Sequence, residues 1–487
     1  MTRSPLEDII AAARLDPRGK ESDALAGGLR ALLRLAGAEA VAERLTEAFP
    51  DYLTAMIDEK LSAQVNEILH HPEFLAVEAT WRGLRFLVDR VDFSQNIIVE
   101  FLNVSKEELL ADFEDVPEVT KSGLHKHIYT EEFGQFGGQP VAAMIADYTF
   151  DAGARDVQLL KYVATVASLA HAPFFAAAGK EFFDIDSWGR FPDLKDMKSI
   201  FDMPRYARWN SFREADVARY VGLLLPGFLL RRPYSHESAA AQASFNFTEK
   251  PENENEFCWG NTAFALASCL ADSFARYRWC VNIIGPDGGG AVSRLPCCRY
   301  EAMGDIQNKI PTRTTISERR EYELAELGFI SLAIGRTPDE AIFFSANSPL
   351  KPKLFPKTPE GFTAEISFRL STQFPYMMLM NRLAHYIKVL QRESVGAWRS
   401  RDDITRELNR WISRYVTEMD TPDAMTRSKR PLRMARVDVK EVAEDSGWYA
   451  VTILARPHFK YMGVNFTLSL EGRLDRQGTD QQAAAGG

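Results

Sequence analysis

Cysteine is scarce in this sequence, with five residues in a chain of 487. An odd number cannot close a complete disulfide framework, and none of the five has the spacing of a metal site. Cys258, Cys269 and Cys280 fall in a stretch rich in Phe, Trp and Ala, where free thiols act as small apolar side chains. Cys297 and Cys298 are adjacent, a poor geometry for sharing one zinc ion. A surplus of positive charge is also lacking. The formal net charge is -9, which argues against general binding to nucleic acid, because phosphate recognition needs a basic surface. No run approaches the roughly 18 apolar residues that read as a membrane span. The opening MTRSPLEDIIAAARLDPRGK carries acidic residues where a signal peptide needs an unbroken apolar stretch. The chain is therefore expected in the cytoplasm, without direct membrane insertion.

Patterns of catalysis are missing as well. There is no G-x-S-x-G elbow, no HExxH and no local protease signature around a cysteine. Gly285-Pro286-Asp287-Gly288-Gly289-Gly290 could present backbone N–H groups to an anion. It lacks the GKS/T ending of a P-loop and no clear helix follows it, so it reads as a plain turn. Asp184 and Asp186 would share one side of a strand, where two carboxylates can do acid–base work; a solvated turn before Ser187 is the simpler reading. His70 and His71 are neighbours on a helix and point to different sides. His125 and His127 share a face only if their segment is extended. The remaining histidines are scattered, and no third ligand suggests itself. No catalytic, cofactor-binding or metal site is expected.

What is present is ample material for a core: 46% hydrophobic and 26% charged residues. Ser4, Pro5 and Glu7 form a capping box and helix start, followed by an apolar stripe of Leu6, Ile9, Ile10 and Ala13. A helix this short is marginal alone, so the stripe must meet either its own domain or a partner. Residues 24–48 and 51–71 read as helices. Pro72 closes the second, and 73–90 continue with Phe74, Val77, Trp81, Leu84 and Leu87 on one face. That face is expected to anchor the helical amino-terminal portion to the core. Strands are expected at 96–104, 140–150, 173–179, 279–284 and 329–335, with helices at 156–172, 261–277 and 317–328 between them, an alternation that implies an α/β core. Residues 234–256 read as an exposed loop or inserted strand pair, and 351–362 as a proline-rich linker. Helices over 374–396 and 402–416, the latter capped by Ser400 and Asp403, precede three strands at 432–442, 448–459 and 464–474. In the last, Phe466, Leu468 and Leu470 alternate with polar residues, the period of a half-buried antiparallel strand.

Ten stretches occurring in family order carry a resemblance over nearly the whole chain. Among them are IDEKLSAQVNEILHHPEFLAVEATWRGLRFLV (57–88), YTEEFGQFGGQPVAAMIADYTFD (129–151), WNSFREADVARYVGLLLPGFLLRRPY (209–234) and ISERREYELAELGFISL (316–332). On these the chain resembles the TssC (VipB) family, the large subunit of the type VI secretion contractile sheath. The resemblance implies a mixed α/β (α+β) fold: a helical N-terminal portion, a mixed-sheet core and C-terminal antiparallel strands. The expected division is an amphipathic helix and tether at 1–22, a helical region at 23–92, a core domain at 93–362, a C-terminal domain at 363–475 and a disordered tail at 476–487. It implies pairing with the small subunit TssB, contacts with neighbouring TssC copies, assembly around a tube of Hcp, and docking on a membrane-anchored baseplate. It also implies capture of the first helix by the AAA+ ATPase ClpV through Leu6, Ile9, Ile10 and Leu15. Strand exchange between subunits would involve the zone 432–474, with Phe466, Leu468 and Leu470. The competing reading is a cytoplasmic hydrolase or nucleotide-binding enzyme built on the 285–290 loop. A phage-tail sheath is a closer variant, disfavoured by the long helical amino-terminal portion.

Overall fold

Helix-forming and strand-forming segments alternate through the middle of the chain, so strands of like direction come together with helices packed on them. The computed structural model describes residues 27–28, 49–135, 137–235, 247–302, 305–353, 355–393, 401–417, 419, 422–441, 449–458 and 468–474. The first helix and its Leu6, Ile9, Ile10 and Leu15 lie outside the described residues, as do Phe466, Ser400 and the tail. The chain divides into two compact units, one of residues 1–71 with 233–252, the other of 72–232 with 253–487.

In the first unit, α1 spans Phe49–Leu69. Past its end, His70 Nε2 lies 3.2 Å from Glu249 Oε1. The same glutamate accepts a hydrogen bond from the backbone N–H of Tyr234 at 2.9 Å. Glu249 is buried, so the stretch expected as an exposed loop is tied down at this point. His71 is exposed.

The second unit holds the main sheet; it also contains helices α3 (Lys106–Glu114) and α5 (Ala207–Glu214) and two short strand pairs, β4 (Phe228–Leu229) with β5 (Trp259–Gly260) and β7 (Cys298–Ala302) with β8 (Asp305–Lys309). The main sheet has the order β1 (Met144–Phe150), β2 (Phe174–Ala178), β3 (Val221–Leu225), β9 (Phe329–Ile334), β10 (Ala341–Phe343) and β6 (Ala291–Val292). The first four run parallel; β9, β10 and β6 alternate in direction. Helix α4 (Ala154–Ala170) links β1 to β2, and its Leu160, Val163, Ala164 and Ala167 are fully buried. Helix α6 (Thr262–Tyr277) packs on β1, β2 and β3. Asn261 starts it by accepting the N–H of Ala263 on its side-chain oxygen at 2.9 Å. Helix α7 (Glu318–Leu327) ends at Gly328, whose φ of 83° suits a residue without Cβ. The next residue, Phe329 of β9, is ringed by Phe182, Phe183, Phe201 and Trp209 with centroids 5.2 to 6.1 Å away. Such buried rings supply much of the apolar area a core needs.

A second core lies between α9 (Phe374–Glu393), α10 (Arg401–Ile412) and a three-stranded sheet of β11 (Leu432–Glu441), β12 (Tyr449–Pro457) and β13 (Leu468–Leu474). Leu383 and Ile387 of α9 and Leu408 and Ile412 of α10, at helical spacing, are buried there. The linker region passes into a helix that the sequence reading passed over, α8 (Pro359–Ser371), with Pro359 at its first position and the Thr358 side chain accepting from Gly361 N–H at 3.0 Å.

Three expectations are corrected. Residues 97–104 form no strand, and 279–284 likewise enter no ladder, although Trp279, Val281 and Ile283 are buried at alternate positions. In both segments β-branched residues favour a strand without supplying a partner for one. The third concerns α2 (Pro72–Val88). Phe74, Val77 and Trp81 are exposed, Trp81 to 68%. The buried side of that helix is Gly83 and Leu87, against Phe264 and Ala267 of α6. A Cβ at Gly83 would stand 2.6 Å from the Phe264 ring, so glycine lets the helices approach.

Candidate assembly surfaces

Each group that invited a chemical role is occupied by a structural one. The glycine loop closes on itself: Gly285 N–H donates to Phe343 carbonyl at 2.7 Å, Gly290 N–H to Gly285 carbonyl at 3.0 Å, and Phe343 N–H to Gly290 carbonyl at 2.9 Å. Gly285 and Gly290 thus tie the loop to β10 and to itself. Asp184 sits in a left-handed turn at φ 58° and pairs with Arg205 at 2.7 Å, while Asp186 pairs with Arg190 at 3.5 Å. The two carboxylates stand on a turn with separate partners. His125 and His127 lie in a helical turn: the first is buried and stacked on Tyr129, the second is exposed and 2.9 Å from Glu131. Burial pushes the thiols of Cys258 and Cys269 up to about 12, so the reactive thiolate form is disfavoured.

Tertiary structure also gathers histidines that look scattered along the chain. His385 Nε2 is 2.9 Å from the carbonyl of Ala170, and His171 Nδ1 is 3.3 Å from Tyr220 Oη. The two imidazole rings lie 6.4 Å apart. Lys388 donates to the Leu169 carbonyl at 3.3 Å and lies over the rings of Tyr129 and Phe133. Burial, and then the charge of Lys388, push His171 down to about 3; burial pushes His385 to about 4 and Lys388 to about 8. Both rings are neutral near pH 7. The group closes the carboxyl end of α4 with polar side chains, where backbone carbonyls lack helical partners.

The C-terminal sheet is a different matter. β12 lies in the middle, paired antiparallel with β11 from Leu432↔Pro457 to Glu441↔Tyr449 and with β13 from Ala455↔Leu468 to Tyr449↔Leu474. The outer edge of β11 is covered. Asn409 of α10 donates to the Val437 carbonyl at 2.7 Å and accepts the Val437 N–H at 3.0 Å, as a strand would. Val416 bridges Leu432 on the same strand. β13 carries Leu468 and Leu470, and among the described residues no strand pairs along its outer edge. An edge strand whose outer backbone groups are unpaired is a template for strand addition.

Among the described residues no helix is long and apolar enough to cross a membrane. The EvpB/VC_A0108 tail sheath N-terminal domain matches residues 51–349, and the EvpB/VC_A0108 tail sheath gpW/gp25-like domain matches residues 363–474. The chain is also similar to the type VI secretion system sheath protein TssC1 of Pseudomonas aeruginosa PAO1. The two are 36% identical over 428 residues, covering 87% of this chain and 85% of that protein. With both sheath domains matched in order along a mixed α/β chain, the protein belongs to the TssC (VipB) family of type VI secretion sheath proteins.

Proposed function

We propose that this chain is the large subunit of a contractile sheath, paired with a TssB-type small subunit and polymerised around an Hcp tube in the cytoplasm, on a membrane-anchored baseplate. Contraction drives the tube into a target cell. The observation that supports the reading is the C-terminal sheet, bonded at β11 by Asn409 and with no strand paired along the outer edge of β13 among the described residues. A strand from a neighbouring subunit extends such an edge through backbone hydrogen bonds. The link tolerates rotation between subunits because it does not depend on a fixed side-chain jigsaw. Repeating contacts that never close generate an open helical filament. The work comes from two packings of one lattice, so the function needs no catalytic residue. The amino-terminal Leu6, Ile9, Ile10 and Leu15 serve as the handle for a ClpV-type unfoldase, in a helix-in-groove mode.

Coexpression with the small subunit, followed by electron microscopy, tests the reading. Tubules are the expected product. A small soluble particle in their place would return the enzyme reading on the 285–290 loop to consideration.

A further inference from the structure

Helix α9 is shared by both cores of the second unit. Its Met377 and Met378 belong to the core around the main sheet, while Leu379, Met380, Leu383 and Ile387 belong to that of the C-terminal sheet. Its later turns carry nitrogen donors at His385, Lys388 and Arg392, a spacing that sets them on one face. Each of the three ends on a neutral backbone carbonyl. His385 Nε2 meets Ala170 at 2.9 Å and Lys388 meets Leu169 at 3.3 Å, both at the end of α4. Arg392 donates to Glu132 and to Gly138, each at 2.9 Å.

That geometry fixes how His385 can hold a proton. A carbonyl only accepts, so Nε2 carries the hydrogen and Nδ1 is left as a lone pair. His385 is buried, and its Nδ1 has no hydrogen-bond partner among the described residues. A second proton would sit on that atom, facing no acceptor. Nor is there a counterion. On α9 itself the charged neighbours are Arg382, Lys388 and Arg392, all cations. At the end of α4, the His171 ring lies 6.4 Å from His385, with its Nδ1 3.3 Å from Tyr220 Oη. Arg219, next to that tyrosine, pairs with Asp216 at 3.5 Å. In the facing turn, His125 stacks on Tyr129, Glu131 is 2.9 Å from His127, and the Glu132 carboxylate accepts the Gln139 N–H. Among the described residues no carboxylate pairs with His171, His385, Lys388 or Arg392. The carboxyl end of α4 favours one positive charge, and Lys388 already supplies it. A further buried charge without a partner is costly. It is relieved if α9 moves off α4 and water reaches both rings. In keeping with this, both imidazoles are held below the ordinary value of 6.5, His171 at about 3 and His385 at about 4.

We propose that His171 and His385 form a proton-operated latch: in acid, the carboxyl half of α9 lifts off α4 and the turn at 126–134, while α9 stays packed on the C-terminal sheet. The latch is a property of this chain alone and does not depend on the sheath reading. Its sign follows from linkage. Imidazoles depressed in the folded state contribute stability that is complete above about pH 6.5 and is lost as pH falls toward the folded values. Each ring that takes up a proton on opening raises the open fraction about tenfold per pH unit.

Amide hydrogen exchange on the full chain, expressed as protection factors at about pH 6, 5 and 4, tests the latch. Amides of 126–134 and 169–172, which α9 holds, are expected to lose at least about tenfold protection per pH unit. Amides of 157–167 in α4 and 379–387 in α9 are expected to stay protected. In the double variant His171→Asn with His385→Gln, the first group should show no such dependence. Asparagine tolerates the left-handed φ of 52° at position 171, and glutamine keeps a donor for the Ala170 carbonyl. An equal response in the double variant would assign the acid effect to other groups and overturn the latch. So would a parent chain whose protection does not change with pH, or one that loses protection throughout the second unit together. Should the double variant fail to fold, exchange of the imidazole C2–H in the parent chain reads each ring directly. A value near 6.5 for both rings there would overturn the proposal, and depressed values would sustain it.

Discussion

Glu78 shows how a single charged group is held inside the second unit. Its Oε1 accepts from Arg231 Nε and from Arg82 Nε, each at 2.7 Å, and the Arg231 side chain is almost wholly covered. Burial pulls the Glu78 pKa up. The hydrogen bond and charge of Arg231, then those of Arg82, more than offset this and hold it below the usual carboxylate value of 4.5. A carboxylate depressed in the folded state contributes stability that is complete above its unfolded pKa and is lost as pH falls through the lower folded value. Urea unfolding of Glu78→Gln and the parent chain should therefore differ most at neutral pH and converge in acid. His171 and His385 act in the same direction from nearer pH 6.5, since their folded values are depressed, so the comparison is made as the difference between the two proteins. Arg231→Met should cost about 1–3 kcal/mol at pH 7, because Arg82 still bonds the carboxylate while one charge-assisted hydrogen bond is lost. Curves that stayed parallel through acid would remove Glu78 as a contributor.

At the scale of the element, α2 separates apolar periodicity from burial. Its Trp81 and Leu87 belong to the same apolar pattern in sequence, yet Trp81 is exposed and Leu87 is buried beside Phe264. In the isolated chain, Trp81→Ala should change stability by less than about 0.5 kcal/mol, as surface substitutions do. Leu87→Ala should cost about 2–5 kcal/mol by emptying a packed site. Thermal or urea unfolding of the two variants distinguishes them; a large loss for Trp81→Ala would restore the role of anchor. The helices α9 and α10 were legible because their stripes face a core made by the chain itself. The segments 97–103 and 279–284 have the alternation of strands, and the second buries Trp279, Val281 and Ile283 accordingly. Neither forms a ladder, because pairing depends on what lies alongside, and a strand pattern carries no address for its neighbour. Helix α8 was missed within a proline-rich stretch, although Thr358 and Pro359 together spell a helix start.

For the whole molecule, the proposed function rests on assembly surfaces. Removal of residues 1–16 should leave coassembly with the small subunit intact and abolish capture by a ClpV-type unfoldase. A pull-down with the unfoldase, beside micrographs of the same preparation, measures both. Capture that survived the deletion would move the handle elsewhere in the chain.

The family resemblance, through ten motifs in order, and the alternation of helices and strands behind the mixed α/β fold are both legible along the chain. Periodicity and motif order are properties of the chain and need no coordinates to be read. Only in the folded chain is it visible that Asn409 bonds both backbone groups of Val437 on β11, that β13 has one paired neighbour among the described residues, that Gly285 is tied to β10, and that 97–103 finds no backbone partner among the described residues. The physical reason is the same in each case. Whether a backbone donor or an apolar side chain is satisfied depends on groups brought beside it from far along the chain, and no local pattern records which groups those are.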